Sequence, residues 1–271
     1  MRVRQLLTVG LVAVVVASLS ALAPAPAGAA TWAPAATARV HPGVMTYTAG
    51  AQCTANFVFT NGTRTFLGQA AHCSSTGAST DTNGCLAPSL PLGTPVTFAG
   101  FTGPMVYNSW LAMKAAGERD ANTCAYNDFA LIELPASAVA TTNPSVPFFG
   151  GPTGLGSGTT FGQSVYSYQN SSLRLGISAL SPKQGVSLGD TGGGWSTTVY
   201  TLTPGIPGDS GSGFLDSTGR ALGVLSTVAV APLPLSNGVG NLAKELAYAQ
   251  THGFQGLSLV PGTEPFSPGL V

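Results

Sequence analysis

Short runs of apolar and β-branched residues recur along most of the chain and predict β-strands. Six such runs lie between Val44 and Leu134, and they read VMTYT, ANFVF, TFLGQAA, PVTFAGF, MVYNSW and FALIEL. Five more follow between residues 160 and 230, namely TFGQSVYSY, LRLGISAL, STTVYTLT, GSGFLD and ALGVLSTVAV. Gly, Asn, Ser and Pro separate the runs, and TNGT at 60–63 and DSTGR at 216–220 have the composition of hairpin turns. The pattern predicts an all-β protein.

One segment departs from this pattern. In VGNLAKELAYAQTHG, residues 239–253, the apolar residues Leu242, Leu246 and Ala249 follow helical spacing, and Gly253 is suited to end a helix. The segment predicts a C-terminal α-helix. The tail after it looks irregular.

A stretch rich in Pro, Gly, Ser and Thr at 135–158 divides the strands into two groups of about six and is the best candidate for a linker. We therefore predict two antiparallel six-stranded β-barrels closed by a C-terminal α-helix. The predicted organisation is a first barrel at 44–135, an inter-barrel linker at 136–158, a second barrel with the helix at 159–253 and a tail at 254–271.

The first thirty residues form a separate segment. Arg2 and Arg4 precede an apolar run, and the small residues APAPAGAA follow it. This arrangement predicts a secretory signal peptide at 1–30, followed by an N-terminal segment or short propeptide at 31–43, and hence a secreted, extracellular protein. An uncleaved membrane anchor is the alternative, because the run approaches the length that spans a bilayer. We expect no membrane association after cleavage.

The composition excludes some partners. The chain has 271 residues, of which 44% are hydrophobic and 7% charged, with ten basic and ten acidic side chains. Such a balance offers no electrostatic surface for nucleic acid or an anionic membrane. We expect a monomer with no metal and no cofactor.

The four cysteines are Cys53, Cys73, Cys85 and Cys124. An even number in an exported chain without Cys-x-x-Cys spacing favours two disulfides over a metal site. Sequence alone permits three pairings. A bridge between Cys53 and Cys73 would fix the backbone beside His72.

Three short motifs each carry one group needed for acyl transfer to a hydroxyl: a nucleophile, a base and an acid that orients the base. The base candidate is His72 in QAAHC. The acid candidate is Asp128 in YNDFALIEL, where a buried carboxylate would need hydrogen-bond donors. The nucleophile candidate is Ser210 in PGDSGSGF, where Gly208 and Gly211 allow unusual backbone conformations that could bring amide groups together. Each motif alone could be a surface turn or strand start.

The order His72, Asp128, Ser210 is that of the chymotrypsin type, and it differs from the orders of α/β-hydrolases and subtilisins. On AAHC, NDFALIEL and GDSGS, the chain resembles a chymotrypsin-like (trypsin-like) serine protease of the secreted bacterial branch, over roughly residues 44–253. The resemblance implies a serine endopeptidase acting on proteins or peptides, with His72 as general base and acid, Asp128 as the orienting acid and Ser210 as nucleophile.

The resemblance also implies binding roles. The amides of Gly208 and Ser210 would form the oxyanion hole, and Ser226, Thr227 and Val228 would pair with substrate. Pro204 occupies the position at which trypsin-type members carry an aspartate, so cleavage after basic residues is not expected, and a small or medium apolar residue is preferred instead.

Other positions differ from the family pattern or leave it open. Ser212 replaces a usual glycine, which we expect to alter local packing only. If Cys53 pairs with Cys73, Cys85 is left to pair with Cys124. The partner of Asp209 is either a new N-terminus at Val40 or the side chain of Arg174.

Two other functions stay open. A catalytically silent relative acting as a binding module would not need all three groups intact. An α/β-hydrolase esterase using Ser210 with His252 would need a second glycine where Ser212 stands.

Overall fold

The computed structural model describes residues 31–228 and 236–269, and from Trp32 on they belong to one compact unit. The predicted signal peptide at 1–30 therefore lies outside the described residues. No helix of the described ranges is both long and apolar enough to cross a membrane.

The N-terminal half is built on an eight-stranded antiparallel sheet whose spatial order is β14-β3-β4-β7-β6-β5-β1-β2. Its strands are β1 (Met45–Thr48), β2 (Ala51–Thr54), β3 (Val58–Thr60), β4 (Thr65–Gln69), β5 (Pro95–Phe98), β6 (Phe101–Asn108), β7 (Ala130–Glu133) and β14 (Ser258–Leu259). Its interior is filled by fully buried aromatic and aliphatic side chains, among them Phe57, Phe59, Phe66 and Leu131.

The C-terminal half is a closed six-stranded barrel in the order β10-β13-β12-β11-β8-β9. Its strands are β8 (Ser164–Tyr168), β9 (Pro182–Thr191), β10 (Ser196–Thr201), β11 (Gly213–Leu215), β12 (Ala221–Val228) and β13 (Asn237–Asn241). Its core contains Val165, Val199, Phe214 and Leu222. Together with the N-terminal sheet and the C-terminal helix, this barrel confirms the predicted all-β, two-barrel architecture.

Within the described ranges, four α-helices connect or close the sheets: α1 (Ser109–Ala116), α2 (Ala121–Tyr126), α3 (Ala136–Val139) and α4 (Leu242–Thr251). The side chain of Asn241 caps α4 by accepting the Lys244 amide, and Leu242, Leu246 and Ala249 are buried as their spacing predicted. Short 3-10 helices lie at Ala35–Thr37, Ala71–Ser74, Ser172–Arg174, Ser178–Leu180 and Gly192–Gly194.

The strand predicted at 173–180 is wrong. The segment forms two 3-10 turns, and the neighbouring residues 182–191 form β9 instead. Leu173, Leu175 and Ile177 are exposed, and Leu175 has a positive φ of 52°. An apolar residue with a left-handed backbone conformation and a solvent-exposed side chain does not extend a sheet. The apolar composition of this segment was therefore not enough to predict a strand.

Both predicted hairpins are confirmed. β3 and β4 pair antiparallel across Asn61–Arg64, where Asn61 Oδ1 accepts the amides of Thr63 and Arg64. β11 and β12 pair across the DSTGR turn, where Asp216 Oδ1 accepts the amides of Thr218 and Arg220. Asn and Asp thus fix these turns through local side-chain hydrogen bonds.

The tail beyond Phe254 is not irregular throughout. Its strand β14 pairs with β3, and Leu257 and Val260 are buried. Further along, the amides of Thr263 and Glu264 donate to Ser145 Oγ in the segment that joins the two sheets. The tail is therefore part of the N-terminal sheet and of its junction with the barrel.

Candidate active site

His72 lies in the 3-10 helix that directly follows β4. The neighbouring Cys73 is joined to Cys53 in β2, with 6.1 Å between the two Cα atoms, and the second disulfide joins Cys85 to Cys124. Of the three pairings that the sequence permits, the structure contains this one. Because β2 is tied to the residue after His72, the main chain of His72 has little freedom to move away from the sheet.

Asp128 precedes β7 and faces His72. Its Oδ1 accepts the backbone amide of His72 at 2.8 Å, and its Oδ2 lies 2.6 Å from His72 Nδ1. Ser226 Oγ in β12 donates to the same Oδ2 at 2.6 Å. The carboxylate is 3% exposed, so these three donors replace the water that a buried charge would lose.

The two groups shift each other's pKa. Burial by itself lowers the pKa of His72, but the charge of Asp128 and the hydrogen bond between them outweigh burial and raise it. Burial raises the pKa of Asp128, while His72 and the donated hydrogen bonds, including that of Ser226, bring it below its ordinary value. The pair therefore favours a carboxylate whose hydrogen bond fixes the Nδ1–H tautomer of the imidazole, leaving Nε2 free to act as a base.

Ser210 closes a loop at residues 203–210, here called the Ser210 loop. Within it the Asp209 amide donates to Ile206 O at 2.9 Å, with Pro207 and Gly208 between them and a φ of 97° at Gly208. Pro followed by a glycine of positive φ is the signature of a type II turn. The carbonyl of Pro207 accepts Ser171 Oγ at 2.6 Å, so the amide of Gly208 in the same planar peptide points to the opposite side.

The amides of Gly208 and Ser210 have no hydrogen-bond partner among the residues that the structure describes. Two free backbone donors on one tight turn beside a serine hydroxyl form the kind of group that stabilises an oxyanion. Ser212 in the following segment is fully buried, and its hydroxyl also finds no partner within the described ranges.

Backbone contacts bring Ser210 to the segment that carries His72. The carbonyl of Ser210 accepts the Thr54 amide at 2.8 Å, and a Cβ at Gly211 would lie 2.8 Å from the amide nitrogen of Ala70. Among the described residues, the hydrogen bonds do not include one between the Ser210 hydroxyl and His72. Such bonds are often long in the absence of substrate and shorten in the complex.

The structure decides between the two partners considered for Asp209. Arg174 forms a bidentate ion pair with it, with Nη2 2.6 Å from Oδ2, and both side chains are buried. Val40 is fully buried and its amide donates to Thr141 O, so in this structure, in which the chain is uncut, Val40 does not pair with Asp209. The ion pair attaches the Ser210 loop to the segment at 170–181.

A cavity of about 250 Å³ lies beside Ser226 and Thr227. Its other lining residues are uncharged, and they are Thr82, Ala125, Tyr126, Ser196, Gly238 and Gly240. Val228 follows in β12, where its backbone pairs with Asn237. Pro204 lies in the Ser210 loop and is half-buried. The cavity can take an uncharged side chain next to the exposed edge of the site.

Sequence reasoning missed two residues that contact this site. Gln52 Nε2 donates to Gly208 O at 2.9 Å, and its Oε1 accepts the Ser172 amide. Glu245 in α4 accepts the Asp128 amide through Oε1 at 3.0 Å. The helical spacing does contain a signal for Glu245, since it shares the apolar face of Leu242 and Ala249. Nothing local indicates Gln52.

No protein-family model and no curated protein sequence matches the chain. Solved structures do. Thermobifida fusca Protease A is similar over 82% of this chain and 99% of its own, with a TM-score of 0.53 and 18% identity. A Nocardiopsis protease covers 81% of this chain and 98% of its own, at a TM-score of 0.50 and 16% identity.

A serine protease specific for glutamic acid is similar over 82% of this chain and 100% of its own, again at a TM-score of 0.50 and 16% identity. Identity this low relates the folds and does not by itself transfer an activity. The order of strands, the closed barrel and these likenesses agree: the chain has the chymotrypsin-like two-barrel fold.

Proposed function

We propose that the chain is an exported serine endopeptidase that hydrolyses peptide bonds in proteins or peptides through an acyl-enzyme. One observation carries the proposal. The buried carboxylate of Asp128 accepts hydrogen bonds from the backbone amide of His72, from His72 Nδ1 and from Ser226 Oγ. The segment that carries His72 contacts the Ser210 loop through backbone groups, and the amides of Gly208 and Ser210 in that loop have no partner among the described residues. The likeness of the fold to three proteases, one of them a serine protease specific for glutamic acid, supports the same function.

In the proposed reaction, Ser210 Oγ attacks the scissile carbonyl while His72 Nε2 removes its proton. The carbonyl oxygen becomes an oxyanion bound by the amides of Gly208 and Ser210. His72 then gives the proton to the leaving amine, and the acyl-enzyme is hydrolysed by water through the same steps. Asp128 stays ionised and stabilises the imidazolium that forms in between.

We also propose that the enzyme does not cleave after basic residues. Pro204 supplies no carboxylate to the Ser210 loop. Lys183 is buried on β9 and donates to Thr203, next to Pro204, so a cation is already present beneath this loop. A positively charged substrate side chain would be repelled there, whereas the uncharged cavity beside Ser226 suits small or medium apolar side chains.

Export rests on the predicted signal peptide and on the two disulfides, which persist in oxidising compartments. Processing is checked by N-terminal sequencing of the protein recovered from the culture medium.

The experiment that tests the function is the replacement Ser210→Ala in the purified mature protein. We expect the fold to be unchanged and peptide hydrolysis to fall by several orders of magnitude, because only the nucleophile is removed. A mixed peptide library read by mass spectrometry measures turnover and the residue before each cut. Ser212→Ala, at a buried serine two positions away, is the matched control and should keep the activity.

Labelling by a fluorophosphonate gives a second measurement, since it needs only an activated serine. Equal turnover by Ser210→Ala and the wild type would refute the assignment. A wild type that neither cuts peptides nor reacts with the fluorophosphonate would favour the binding module instead.

A further inference from the structure

Helix α4 places a carboxyl group directly behind Asp128. Glu245 is fully buried, and its Oε1 accepts the Asp128 amide at 3.0 Å. Its other oxygen, Oε2, has no hydrogen-bond partner among the described residues. A buried carboxyl group with an unpaired oxygen is costly to the fold, so its presence here calls for a reason.

The surroundings disfavour the charged form of this carboxyl group. Burial raises the pKa of Glu245 well above its usual value, the hydrogen bond from the Asp128 amide opposes this shift, and the charge of Asp128 adds to it. The phenol of Tyr107 is also buried here, and its hydroxyl group has no hydrogen-bond partner within the described ranges. Burial, Tyr248 and Glu245 raise the pKa of Tyr107. Asp128 is the acidic residue whose amide and charge both act on Glu245.

The backbone on either side of Asp128 is held by side chains from two helices. The Phe129 amide donates to Ser109 Oγ in α1, and Ser109 Oγ in turn donates to Asn127 O. The Asp128 amide has no backbone acceptor among the described residues, and Glu245 provides the acceptor. Without it, a buried amide would be left unpaired in the segment that orients the carboxylate.

Close packing around Gly240 fits this role. A Cβ at Gly240 would lie 2.5 Å from Glu245 Oε1 and 3.1 Å from the carbonyl of Tyr126. Only glycine leaves room for the carboxyl group to reach the Asp128 amide. The approach of α4 to the start of β7 therefore depends on residues of both β13 and α4.

We propose that Glu245 is a positioning residue for the catalytic dyad: its carboxyl oxygen anchors the main chain of Asp128 and thereby sets the direction in which the carboxylate meets His72. The expected effect of Glu245 on kcat rests on the proposed function. The alignment of Asp128 with His72 does not, because it can be measured without turnover.

The test compares two replacements in the mature protein. Glu245→Gln keeps a carbonyl oxygen at the position of Oε1 and puts its amide nitrogen where Oε2 has no partner. Glu245→Leu has similar bulk and removes the acceptor. Leu246→Ala is the control, because it weakens core packing of the same helix at the next residue without removing that acceptor.

We expect Glu245→Leu to lower kcat by about tenfold to a hundredfold with KM unchanged, because a small misplacement of a catalytic group has this effect. The acid limb of its pH profile should move to lower pH, since a displaced Asp128 raises the pKa of His72 less. In the NMR spectrum, the downfield resonance of the His72 Nδ1 proton should shift or vanish. Glu245→Gln should stay within about threefold of the wild type in kcat, and Leu246→Ala should change stability only.

The inference would be overturned if Glu245→Leu had the same kcat, the same pH profile and the same His72 Nδ1 proton resonance as the wild type. So would equal losses of kcat in Glu245→Leu, Glu245→Gln and Leu246→Ala that follow the fraction of folded protein. Failure of the proposed function looks different: the wild type would lack turnover and labelling, while the proton resonance would still report whether Glu245 aligns Asp128.

Discussion

At the scale of single residues, the candidate site is organised around one buried carboxylate. Asp128 accepts three hydrogen bonds and is itself held by Glu245 through its amide. Two of these hydrogen bonds come from His72 and the third from Ser226, residues 56 and 98 positions away along the chain, so the geometry of the dyad is fixed by the folded protein and not by local conformation. This arrangement determines how activity responds to pH.

We expect the acid limb of kcat/KM to have its midpoint above the ordinary histidine value of about 6.5. The reason is that Asp128 raises the pKa of His72 and that only the neutral imidazole accepts the serine proton, so activity is lost as pH falls through this raised value. Peptide hydrolysis measured from about pH 5 to 9 checks it.

Asp128→Asn is the comparison for this prediction. Without the charge, burial is left to lower the pKa of His72, so the midpoint should move below that of the wild type while kcat falls by orders of magnitude. A wild-type midpoint at or below the ordinary histidine value would contradict the prediction.

The residues of the dyad and Ser210 could be found from sequence because each stands in a short motif of restricted composition. Glu245 could have been noticed as an acidic residue on an apolar helix face. Gln52 could not, because Ser172 and Gly208, which it contacts at the site, are 120 and 156 residues away along the chain.

At the scale of elements, the Ser210 loop takes its shape from a neighbouring loop. Arg174 pairs with Asp209, Ser171 Oγ donates to Pro207 O, and both residues belong to the segment at 170–181. The type II turn that presents the Gly208 amide is thus supported from one side by a buried ion pair.

Arg174→Met should lower the free energy of unfolding by about 3–5 kcal/mol, because it leaves the Asp209 carboxylate buried and unpaired. The turn should lose its support as well, so kcat should fall in the protein that remains folded. Urea unfolding and peptide hydrolysis measure the two effects.

Arg64→Met is the matched control for this change. Arg64 pairs with Glu133 on the surface, with side chains 43% and 30% exposed, and such pairs contribute at most about 1 kcal/mol. A loss in Arg174→Met no larger than that in Arg64→Met would show that the buried pair does not support the loop.

Secondary-structure elements were predicted well where an apolar run forms a buried strand, and poorly elsewhere. MVYNSW was assigned to one strand, whereas β6 ends at Asn108 and α1 begins at Ser109. The Asn108 side chain caps the helix and Gly117, with a φ of 64°, ends it. These capping residues were visible in the sequence, but the strand-like composition before them concealed the change.

At the scale of the whole molecule, the tail joins the N-terminal sheet to the barrel. β14 pairs with β3, Ser145 accepts two amides of the tail, and the Phe266 ring packs edge-on against Tyr166 of the barrel at 5.4 Å. The relative placement of His72 and Ser210, which lie in different halves, depends on this junction.

Leu257→Ala should lower the free energy of unfolding by about 2–5 kcal/mol, because Leu257 is 1% exposed and its removal leaves a cavity at the base of β14. Leu86→Ala, at a leucine that is 79% exposed, should change it by less than about 0.5 kcal/mol. Thermal and urea unfolding of the two variants check the difference. Equal effects of the two replacements would show that the tail does not contribute to the core.

The two-barrel architecture was predictable because strand-like runs fall into two groups with a polar stretch between them. The eighth strand of the N-terminal sheet was not, because Ser258 and Leu259 form a strand of two residues whose partner lies far away in sequence. Local patterning indicates which residues form strands and says little about such distant pairing.

Pairing of β14 with β3 also imposes an order of events on biosynthesis. The partners Thr60 and Ser258 are 198 residues apart, so the edge beside β3 stays open on the ribosome until β14 has been made. Contacts of such long range slow folding and leave strand edges exposed to other chains meanwhile. A nascent chain of this protein is therefore vulnerable to aggregation at the edge of β3 until β14 has been synthesised.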